Sequence, residues 1–551
     1  MKSTIVKGSP YIFNEFCNNT VAFISGSSIQ EFYDGNGNTI LGNKGDTITT
    51  DHIAFKSFDK ENTKAGNEGS YFEVNVPAGT TFKVMIGKSN YKVKVTFPSK
   101  AENYMSVAAM TDLKNIDGYY KHGYAFVTDT TVDYEYNHDN SKITTIYTAS
   151  TDLKRAGFSN ETMHCLLPHQ WKHSTAADSP VATYTSIRGN MKSIWANTYS
   201  TTQQFSGLLP TFAKPDSDMM DTEEMIDYLN QVVASKVNTA PVSDAYWEGK
   251  NVHPLAISAI MADQLGETEI KEKLLAKLKS IMVDWFNYDG PDDRCYLIYN
   301  KDWGTIYYPD SAYGANAAIC DHHFTYGYFM FGAAVLATYD KEFLNDYRDM
   351  IELLVRDYAD PKDPEDDGNM FCKFRAFDQY SGHSWAGGYG DSDSGNNQES
   401  ASEALFSWVG MYLWGEATQN KTYIDAGAYG FTTEMDAIEQ YWFDYDEDNW
   451  LPDYPFQAAG QIYGASMGYG TYFGGQPVYV YGIQWLPVSE YLTNYGMNQT
   501  KCANIYKGLE DDTAYAISIE KRLGNITDDD EYATPDNGWQ HITWPYLSQT
   551  D

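Results

Sequence analysis

The first third of the chain alternates apolar and polar positions with a period of two, which predicts β-strands. From Met1 to about residue 185, short runs of β-forming residues such as YFEVNV, TFKVMIG, YKVKVTF and KITTIYT are separated by turn-forming stretches such as DGNGN and PAGT. Many short strands at this spacing are typical of a sandwich. We therefore predict an N-terminal β-sandwich domain over residues 1–185.

The pattern becomes helical near Tyr246, where apolar residues begin to recur at intervals of three and four. The helical segments are HPLAISAIMADQLG, EIKEKLLAKLKSIMVDWF, HFTYGYFMFGAAVLATY, LNDYRDMIELLVRDYA, SASEALFSWVGMYLWGEAT and TYIDAGAYGFTTEMDAIEQYWF. Long polar loops such as DPKDPEDDGN join them. Helices connected in this way predict a toroid whose loops build a cleft, over residues 246–551, with a mixed segment at 186–245 before it.

The charge balance excludes two classes of partner. With 39 Lys and Arg against 75 Asp and Glu, the net charge is -36, and such a surface repels nucleic acid and anionic membranes. A neutral polymer is compatible with it, because sugar rings stack on aromatic faces, and the chain has 45 Tyr, 26 Phe and 13 Trp. We expect most of the tyrosines to have packing roles only.

Cysteines and termini add little to the functional argument. The 6 cysteines lie far apart without the spacing of a zinc site, which leaves free thiols and one or two disulfides both open. No apolar run is long enough to cross a membrane, and the N-terminal MKSTIVKGSPYIF lacks the apolar segment of a signal peptide. We expect no membrane association. If the protein is exported, its leader is not part of this sequence.

Two acids in polar loops suit the cleavage of a glycosidic bond, which needs one carboxyl to protonate the leaving oxygen and a second to act on the opposite face. Asp321 precedes an apolar helix and is crowded by imidazoles and aromatic rings, in the sequence CDHHFTYGY. Burial against such rings would raise its pKa, as a proton donor requires. The alternative is a plain helix N-cap, for which Asp is among the preferred residues.

The second acid is expected at Glu399 or Glu403 in NNQESASEA. Four residues apart, these side chains would share one face of a helix and repel each other, which a purely structural helix has no reason to keep. A structural alternative exists for Glu403, because Ser400 and Glu403 together spell a capping box.

A glycine-punctuated loop between these acids, FRAFDQYSGHSWAGG, offers His383 and Trp385 for a glucose ring. An indole stacks on the ring face while its nitrogen bonds a hydroxyl; a Trp that packs the base of the loop is the alternative. The nearby Asp391 and Asp393 resemble part of a calcium loop but lack its ligand spacing and its terminal bidentate Glu. We predict no metal.

Three of these segments resemble glycoside hydrolase family 81, the endo-β-1,3-glucanases. DHHFTYGYF is similar to the family's DHHFHYGYF, RAFDQYSGHSWAGG to RDFDWFxGHSWAxG, and SGNNQESASEALFSWVGMYLWG to GKNQESSSEAxNAWYGxxLWG. Weaker similarities to the family occur at LLPHQW, DAYWEGK and YGIQWLP, so the resemblance covers most of the chain in the family's order.

The resemblance implies a multidomain β and α fold with an N-terminal β-sandwich (1–185), a small α/β linker domain (186–245) and a C-terminal (α/α)6 toroid (246–551). It implies a secreted, inverting endo-hydrolase of β-1,3-glucan that needs no cofactor, and we expect a monomer. The family's general acid falls on Asp321, and its base within the pair of glutamates, where we favour Glu403. The expected sugar contacts are His322, His323, Tyr326, Asp378, His383, Trp385 and Trp485.

The sequence departs from the family pattern at two positions, and two alternative functions remain open beside the resemblance. Thr325 replaces an imidazole and Gln379 an aromatic residue, which affects sugar contacts but neither acid nor base. A different toroid glycosidase or a polysaccharide lyase is the alternative enzyme, although a lyase would want basic residues for its uronate substrate. A binding protein that kept the cleft without catalysis is the alternative of another class.

Overall fold

The computed structural model describes residues 1–58, 69–87, 90–216, 220–366, 368, 370–524 and 527, without the side chains at 495–497, 516, 519 and 520. The chain forms two compact units, one of residues 1–134 and 144–202 and one of residues 135–143 and 203 onward. The end of the predicted helical domain, residues 528–551, lies outside the described residues. The division into three domains therefore stays a prediction.

The first unit is rich in strands, as the period-two pattern predicts. Its strands are β1 (Lys2–Ile5), β2 (Tyr11–Glu15), β3 (Val21–Gly26), β4 (Ile29–Tyr33), β5 (Thr39–Ile40), β6 (Thr47–Thr49), β7 (His52–Ser57), β8 (Ser70–Asn75), β9 (Thr81–Ile86), β10 (Tyr91–Thr96), β11 (Tyr104–Met110), β12 (Ala125–Asn137), β13 (Lys142–Leu153), β14 (Thr162–Leu166), β15 (Ala182–Ser186), β16 (Gly189–Ala196) and β17 (Thr198–Gln204). The short helices α1 (Ile116–His122) and α2 (Pro168–Trp171) interrupt them. The tips of β12 and β13, residues 135–143, group with the second unit.

Antiparallel pairing builds a seven-stranded sheet in the order β1-β2-β11-β8-β7-β4-β5 and a four-stranded sheet in the order β3-β10-β9-β6. Two three-stranded sheets follow, β12-β13-β17 and β14-β16-β15. In β10 the side chains of Val93 and Val95 are buried while Lys92 is exposed, because successive side chains leave a strand on opposite faces. Phe32 of the larger sheet and Phe82 of the smaller one belong to the same apolar core.

Glu73 of β8 is a buried carboxyl in this unit. It is fully buried, neither of its oxygens has a hydrogen-bond partner, and it pairs across the sheet with Ala54 and Ala108, both of which belong to an apolar cluster. Burial, with a smaller contribution from the charge of Asp117, raises the pKa of Glu73 well above its ordinary value.

We predict that Glu73→Met removes a pH-dependent loss of stability. A carboxyl whose pKa is higher in the folded state contributes stability below its unfolded pKa and loses it as the pH rises toward the folded pKa, by about 1.4 kcal/mol per pH unit. Urea unfolding at pH 5 and pH 8 should therefore show a smaller fall in the free energy of unfolding for the variant than for wild type. Equal falls in both proteins would contradict this prediction.

The second unit is helical. Its helices are α3 (Thr222–Val232), α4 (Ala245–Leu265), α5 (Thr268–Phe286), α6 (Ala315–Ala318), α7 (His322–Tyr339), α8 (Lys341–Ala359), α9 (Ala401–Thr418), α10 (Lys421–Tyr441), α11 (Pro477–Gly482) and α12 (Gln499–Leu523). Short strands lie in its loops: β18 (Ile298–Asn300), β19 (Thr305–Tyr307), β20 (Phe377–Asp378), β21 (His383–Ser384), β22 (Asn397–Gln398), β23 (Gln461–Tyr463) and β24 (Met467–Gly468). All six helical segments singled out in the sequence are confirmed as helices.

Helices α4, α7 and α9 pack side by side with their N-termini at the same end. Glycines allow the close approach: a Cβ on Gly327 of α7 would lie 2.9 Å from the Ser407 Cα of α9, and one on Gly249 of α4 would lie 2.8 Å from the Tyr328 Cβ of α7. Further toward the C-termini, Gly332 of α7 lies against Val252 of α4, and Gly410 of α9 lies against Met330 of α7. In each pair of helices the contacts thus proceed in the same chain direction on both helices. The three helices are therefore parallel, and the positive ends of their dipoles share one region.

Candidate active site

Asp321 stands immediately before α7 in the left-handed backbone conformation, with φ 61°. Asp321 holds the N-cap position of the helix, but its side chain accepts no hydrogen bond from the first amides, so it does not act as a side-chain cap. The Cys320 thiol donates to Asp321 Oδ1 at 3.5 Å instead. Burial raises the pKa of Asp321 to about 7; the Cys320 hydrogen bond lowers it, and the charges of Glu403 and Glu399 raise it. A carboxyl of this kind is mostly protonated below about pH 7.

Glu403, in the first turn of α9, is buried with only 2% of its surface exposed. Its Oε1 accepts hydrogen bonds from Lys250 Nζ at 2.7 Å, the Tyr328 hydroxyl at 2.6 Å and the Tyr246 hydroxyl at 3.2 Å. Ser400 is the N-cap residue, but its side chain makes no capping bond, and its hydroxyl donates to the Ile483 carbonyl at 3.1 Å. The carboxylate of Glu403 points to α4 and α7 rather than back along its own helix. The capping-box interpretation is therefore wrong, and Glu403 is held by three donors from two neighbouring helices.

The Lys250–Glu403 pair predicts a stability effect. Lys250→Met would leave the buried carboxylate without its cation, and removing one partner of a buried ion pair costs about 3–5 kcal/mol. Thermal unfolding should show a large fall in Tm for this variant and a partial recovery in the double variant with Glu403→Gln. Lys273→Met is the matched control, because the Lys273–Glu269 pair is solvent-exposed, and no measurable change in Tm is expected. Equal effects at both lysines would contradict the prediction.

Glu399 lies in the turn before α9 and not within the helix, so the two glutamates do not share a helix face as the spacing predicted. Its Oε1 accepts the Tyr472 backbone N–H at 2.6 Å and the Gln461 side-chain amide at 3.3 Å. Burial raises the pKa of Glu399, while these two hydrogen bonds lower it. The side chain is half-buried, and no donor among the described residues reaches its Oε2.

The loop between the acids, residues 374–388, is held by hydrogen bonds among its own polar groups. Asp378 accepts hydrogen bonds from the backbone N–H groups of Tyr380 and Ser381 and, at 3.1 Å, from the indole nitrogen of Trp385. The half-buried Trp385 donates its indole N–H to Asp378, so the bond from this nitrogen to a sugar hydroxyl stays a prediction. The ring of His383 is fully buried against that of Trp385, at a centroid distance of 4.5 Å.

A buried carboxyl on α10 anchors the same loop. Glu434 Oε1 accepts the Ser384 backbone N–H at 2.7 Å, and Oε2 accepts the Ser384 hydroxyl at 2.8 Å and the Trp408 indole N–H at 2.7 Å. Burial raises the pKa of Glu434 to about 7, against the effect of these donors.

Five of the seven predicted sugar contacts are buried inside the unit: His322, His323, Tyr326, His383 and Trp485. The ring nitrogens of His322 lie 2.8 Å from Asp357 Oδ1 and 2.9 Å from the Ala315 carbonyl. The Tyr326 hydroxyl donates to the Ile306 carbonyl at 2.7 Å.

His323 and Trp485 are buried in the same way. His323 Nε2 lies 3.0 Å from the side-chain nitrogen of Gln398, and burial lowers the pKa of His323 to about 3. Trp485 has no exposed surface. None of the five buried side chains is exposed at the surface of the unit, so their direct contact with a sugar stays a prediction.

A family model described as "Glycosyl hydrolase family 81 C-terminal domain" matches residues 219–503, more than half of the chain. The chain belongs to glycosyl hydrolase family 81. A family 81 glycoside hydrolase from Clostridium thermocellum has a similar solved structure, with a TM-score of 0.82 and 29% identity over 100% of this chain and 70% of that one.

Two relatives support the family 81 assignment along most of the sequence. A glucan endo-1,3-beta-D-glucosidase of Acetivibrio thermocellus is 33% identical over 494 residues, 89% of this chain. An enzyme of the same description from Thermobifida fusca is 30% identical over 487 residues, 88% of this chain. The chain spans 60% of the length of each of these relatives.

Sequence reasoning missed several residues of this family 81 site. Lys250 and Tyr328 lie on two different helices, and only the fold shows that both reach Glu403. Exposed aromatic rings lie close in the structure or the chain to residues that contact the glutamates: Trp247 and Tyr313 each pack against Tyr246, while Tyr472 donates its backbone N–H to Glu399 and is followed by Phe473. The tyrosine and glycine content of YGTYFGG was a usable signal for this second group.

Within the part of the chain that the structure describes, no group of three or more His, Cys, Asp or Glu side chains is placed to hold a metal ion, and no helix is long and apolar enough to cross a membrane. All six cysteines are described, and each is a free thiol. The sequence left free thiols and one or two disulfides both open, and the structure has free thiols.

Proposed function

We propose that the protein hydrolyses internal β-1,3-glucosidic bonds of β-1,3-glucans such as laminarin, curdlan and cell-wall glucan, with inversion at the anomeric carbon. The observation that carries the proposal is the grouping of Asp321, with a pKa of about 7, with two glutamates whose charges act on it. A protonated acid beside an ionisable carboxylate is the arrangement that glycoside hydrolysis requires. The family 81 relatives named as glucan endo-1,3-beta-D-glucosidases support the choice of substrate.

Asp321 acts as the general acid in this mechanism. Its carboxyl gives a proton to the glycosidic oxygen as the bond from that oxygen to the anomeric carbon breaks. Burial supports this role, because it keeps the proton on the carboxyl near neutral pH. Asp321 is left ionised and regains a proton from solvent after each turnover.

We assign the general base to Glu399 rather than to Glu403, which reverses the order favoured from the sequence. Glu399 is half-buried and anchored through Oε1 alone, which leaves Oε2 to take a proton from the attacking water. Glu403 is buried and commits its Oε1 to three donors. Glu403 therefore positions Tyr246 and Lys250 beneath the sugar and adds negative charge near the acid.

Exposed aromatic rings suit a long neutral polymer. Trp247 and Tyr313 lie on the side of Tyr246, which contacts Glu403, and Tyr472 and Phe473 lie on the side of Glu399. Sugar rings stack on such faces, and platforms on both sides of the acids fit cleavage within a chain. The face of Trp385 and the hydroxyl groups of the loop around Asp378 offer further sugar contacts.

The finer architecture belongs to the same proposal. Three parallel helices with their N-termini together fit the inner ring of an (α/α)6 toroid, and two sheets that share one core fit a β-sandwich, with residues 186–245 as the small α/β linker. We further propose secretion and action as a monomer.

The test is to incubate the purified protein with laminarin, curdlan and a β-1,4-glucan and to separate the early products by size. The proposal expects new reducing ends from the two β-1,3-glucans only, released as oligosaccharides of mixed length. Products that absorb ultraviolet light through a new double bond would indicate a lyase. Retention on insoluble curdlan without new ends would indicate a binding protein.

A further inference from the structure

The general acid lies in a turn with an unusual backbone. Ile319 and Asp321 both adopt the left-handed conformation, with φ 51° and 61°, on either side of Cys320. A β-branched residue such as Ile319 is rarely found there, and conformations of this kind persist only where the surroundings enforce them. Two hydrogen bonds to the neighbouring loop do so, from the Asp321 N–H to the Ala386 carbonyl and from the Gly388 N–H to the Ala318 carbonyl, each 2.8 Å long.

This turn brings the Cys320 thiol to the acid. The sulfur lies 3.5 Å from Asp321 Oδ1, and among the described residues Cys320 is the one that donates a hydrogen bond to this carboxyl. Burial and the charge of Asp321 raise the pKa of Cys320, so the thiol keeps its proton and serves as a donor. A thiol is a much weaker hydrogen-bond donor than a hydroxyl.

The other titratable groups facing Asp321 do not take this role. Glu403 and Glu399 approach from α9 and the turn before it, and both act by charge repulsion. The charge of Asp321 contributes to the raised pKa of Tyr246 on α4 and of Tyr308, which follows β19. The Tyr246 hydroxyl donates to Glu403 instead.

We propose that Cys320 is a positioning residue for the general acid, whose thiol orients the Asp321 carboxyl through a hydrogen bond too weak to favour the ionised form strongly. A serine at this position would orient the carboxyl equally well. Its stronger hydrogen bond would stabilise the ionised carboxylate, lower the pKa of Asp321 and leave less of the acid protonated. The inference rests on the proposed function of Asp321.

The first test compares the pH dependence of kcat/KM on laminarin for wild type, Cys320→Ser and Cys320→Ala. The alkaline limb, where the acid loses its proton, should move to lower pH by about one unit in Cys320→Ser and to higher pH in Cys320→Ala, the latter with a several-fold lower maximum rate. Cys372→Ser is the matched control, because Cys372 is an exposed thiol of the same unit. Alkaline limbs that coincide with wild type in both Cys320 variants would overturn the proposal.

A second test does not depend on activity. In a Cys17→Ser, Cys372→Ser background, which lacks the two exposed thiols, the rate at which iodoacetamide modifies Cys320 is followed at pH 8 by peptide mass spectrometry. Asp321→Asn removes the negative neighbour, lowers the pKa of the thiol and should raise that rate several-fold. An unchanged rate would overturn the proposal. A raised rate in Asp321→Asn, together with a wild-type protein that cleaves no glucan, would instead refute the proposed function and leave the contact standing.

Discussion

Replacing Asp321 with Asn should lower kcat on laminarin by about 10³-fold or more, because the variant has no proton to give to the leaving oxygen. An amide is similar in size to the carboxyl, so the fold and the binding of glucan should change little. The measurement is the initial rate of reducing-end release at pH 6, with circular dichroism to confirm folding.

Asp340→Asn is the matched control for this prediction. Asp340 lies at the other end of α7, where its carboxylate caps α8 by accepting the Phe343 N–H at 2.9 Å, and Asn caps a helix equally well. Its rate should equal that of wild type. An Asp321→Asn variant that retained most of the wild-type rate would remove Asp321 from the mechanism.

Replacing Glu399 with Ala should lower the rate by about 10²–10⁴-fold and should make the enzyme responsive to azide. Without the carboxylate, water is no longer activated, but azide has no proton to lose and can attack the anomeric carbon from the same face while Asp321 protonates the leaving oxygen. The expected product is an α-glucosyl azide, detected by mass spectrometry and by its anomeric proton signal.

Glu403→Ala is the comparison for this assignment. Its carboxylate is buried and bound to Lys250, so the variant should lose stability as well as activity, and azide should not restore the rate. Rescue by azide in Glu403→Ala but not in Glu399→Ala would exchange the roles of the two glutamates.

Local pattern was enough to predict the regular elements near the site. Helices α7 and α9 are apolar around most of their circumference and end in polar loops, which made them visible as helices and made Asp321 and the two glutamates visible as candidates. The alternation of apolar and polar residues in β10 likewise predicts a strand with one buried face, as the structure has it. Period and polarity are local properties of a sequence, and these elements depend on little else.

Pattern could not predict which side chains turn toward the cleft. His322, Tyr326 and Trp485 belong to chemically suggestive motifs, yet each is buried, because α7 and the segment at Trp485 are surrounded by other elements. The partners of Glu403 come from α4 and α7, at a sequence distance that no motif encodes. Glu399 was expected to share a helix face with Glu403, but it precedes the N-cap residue Ser400, and the capping box that Ser400 and Glu403 spell does not form.

The central claim, hydrolysis by Asp321 and a water activated at Glu399, is tested most directly by proton NMR of the purified protein acting on laminarin, recording the anomeric signals of the new reducing ends in the first minutes. The account predicts that the α-anomer appears first and the β-anomer follows by mutarotation. Early β-anomer would mean retention through a covalent intermediate and would contradict the mechanism.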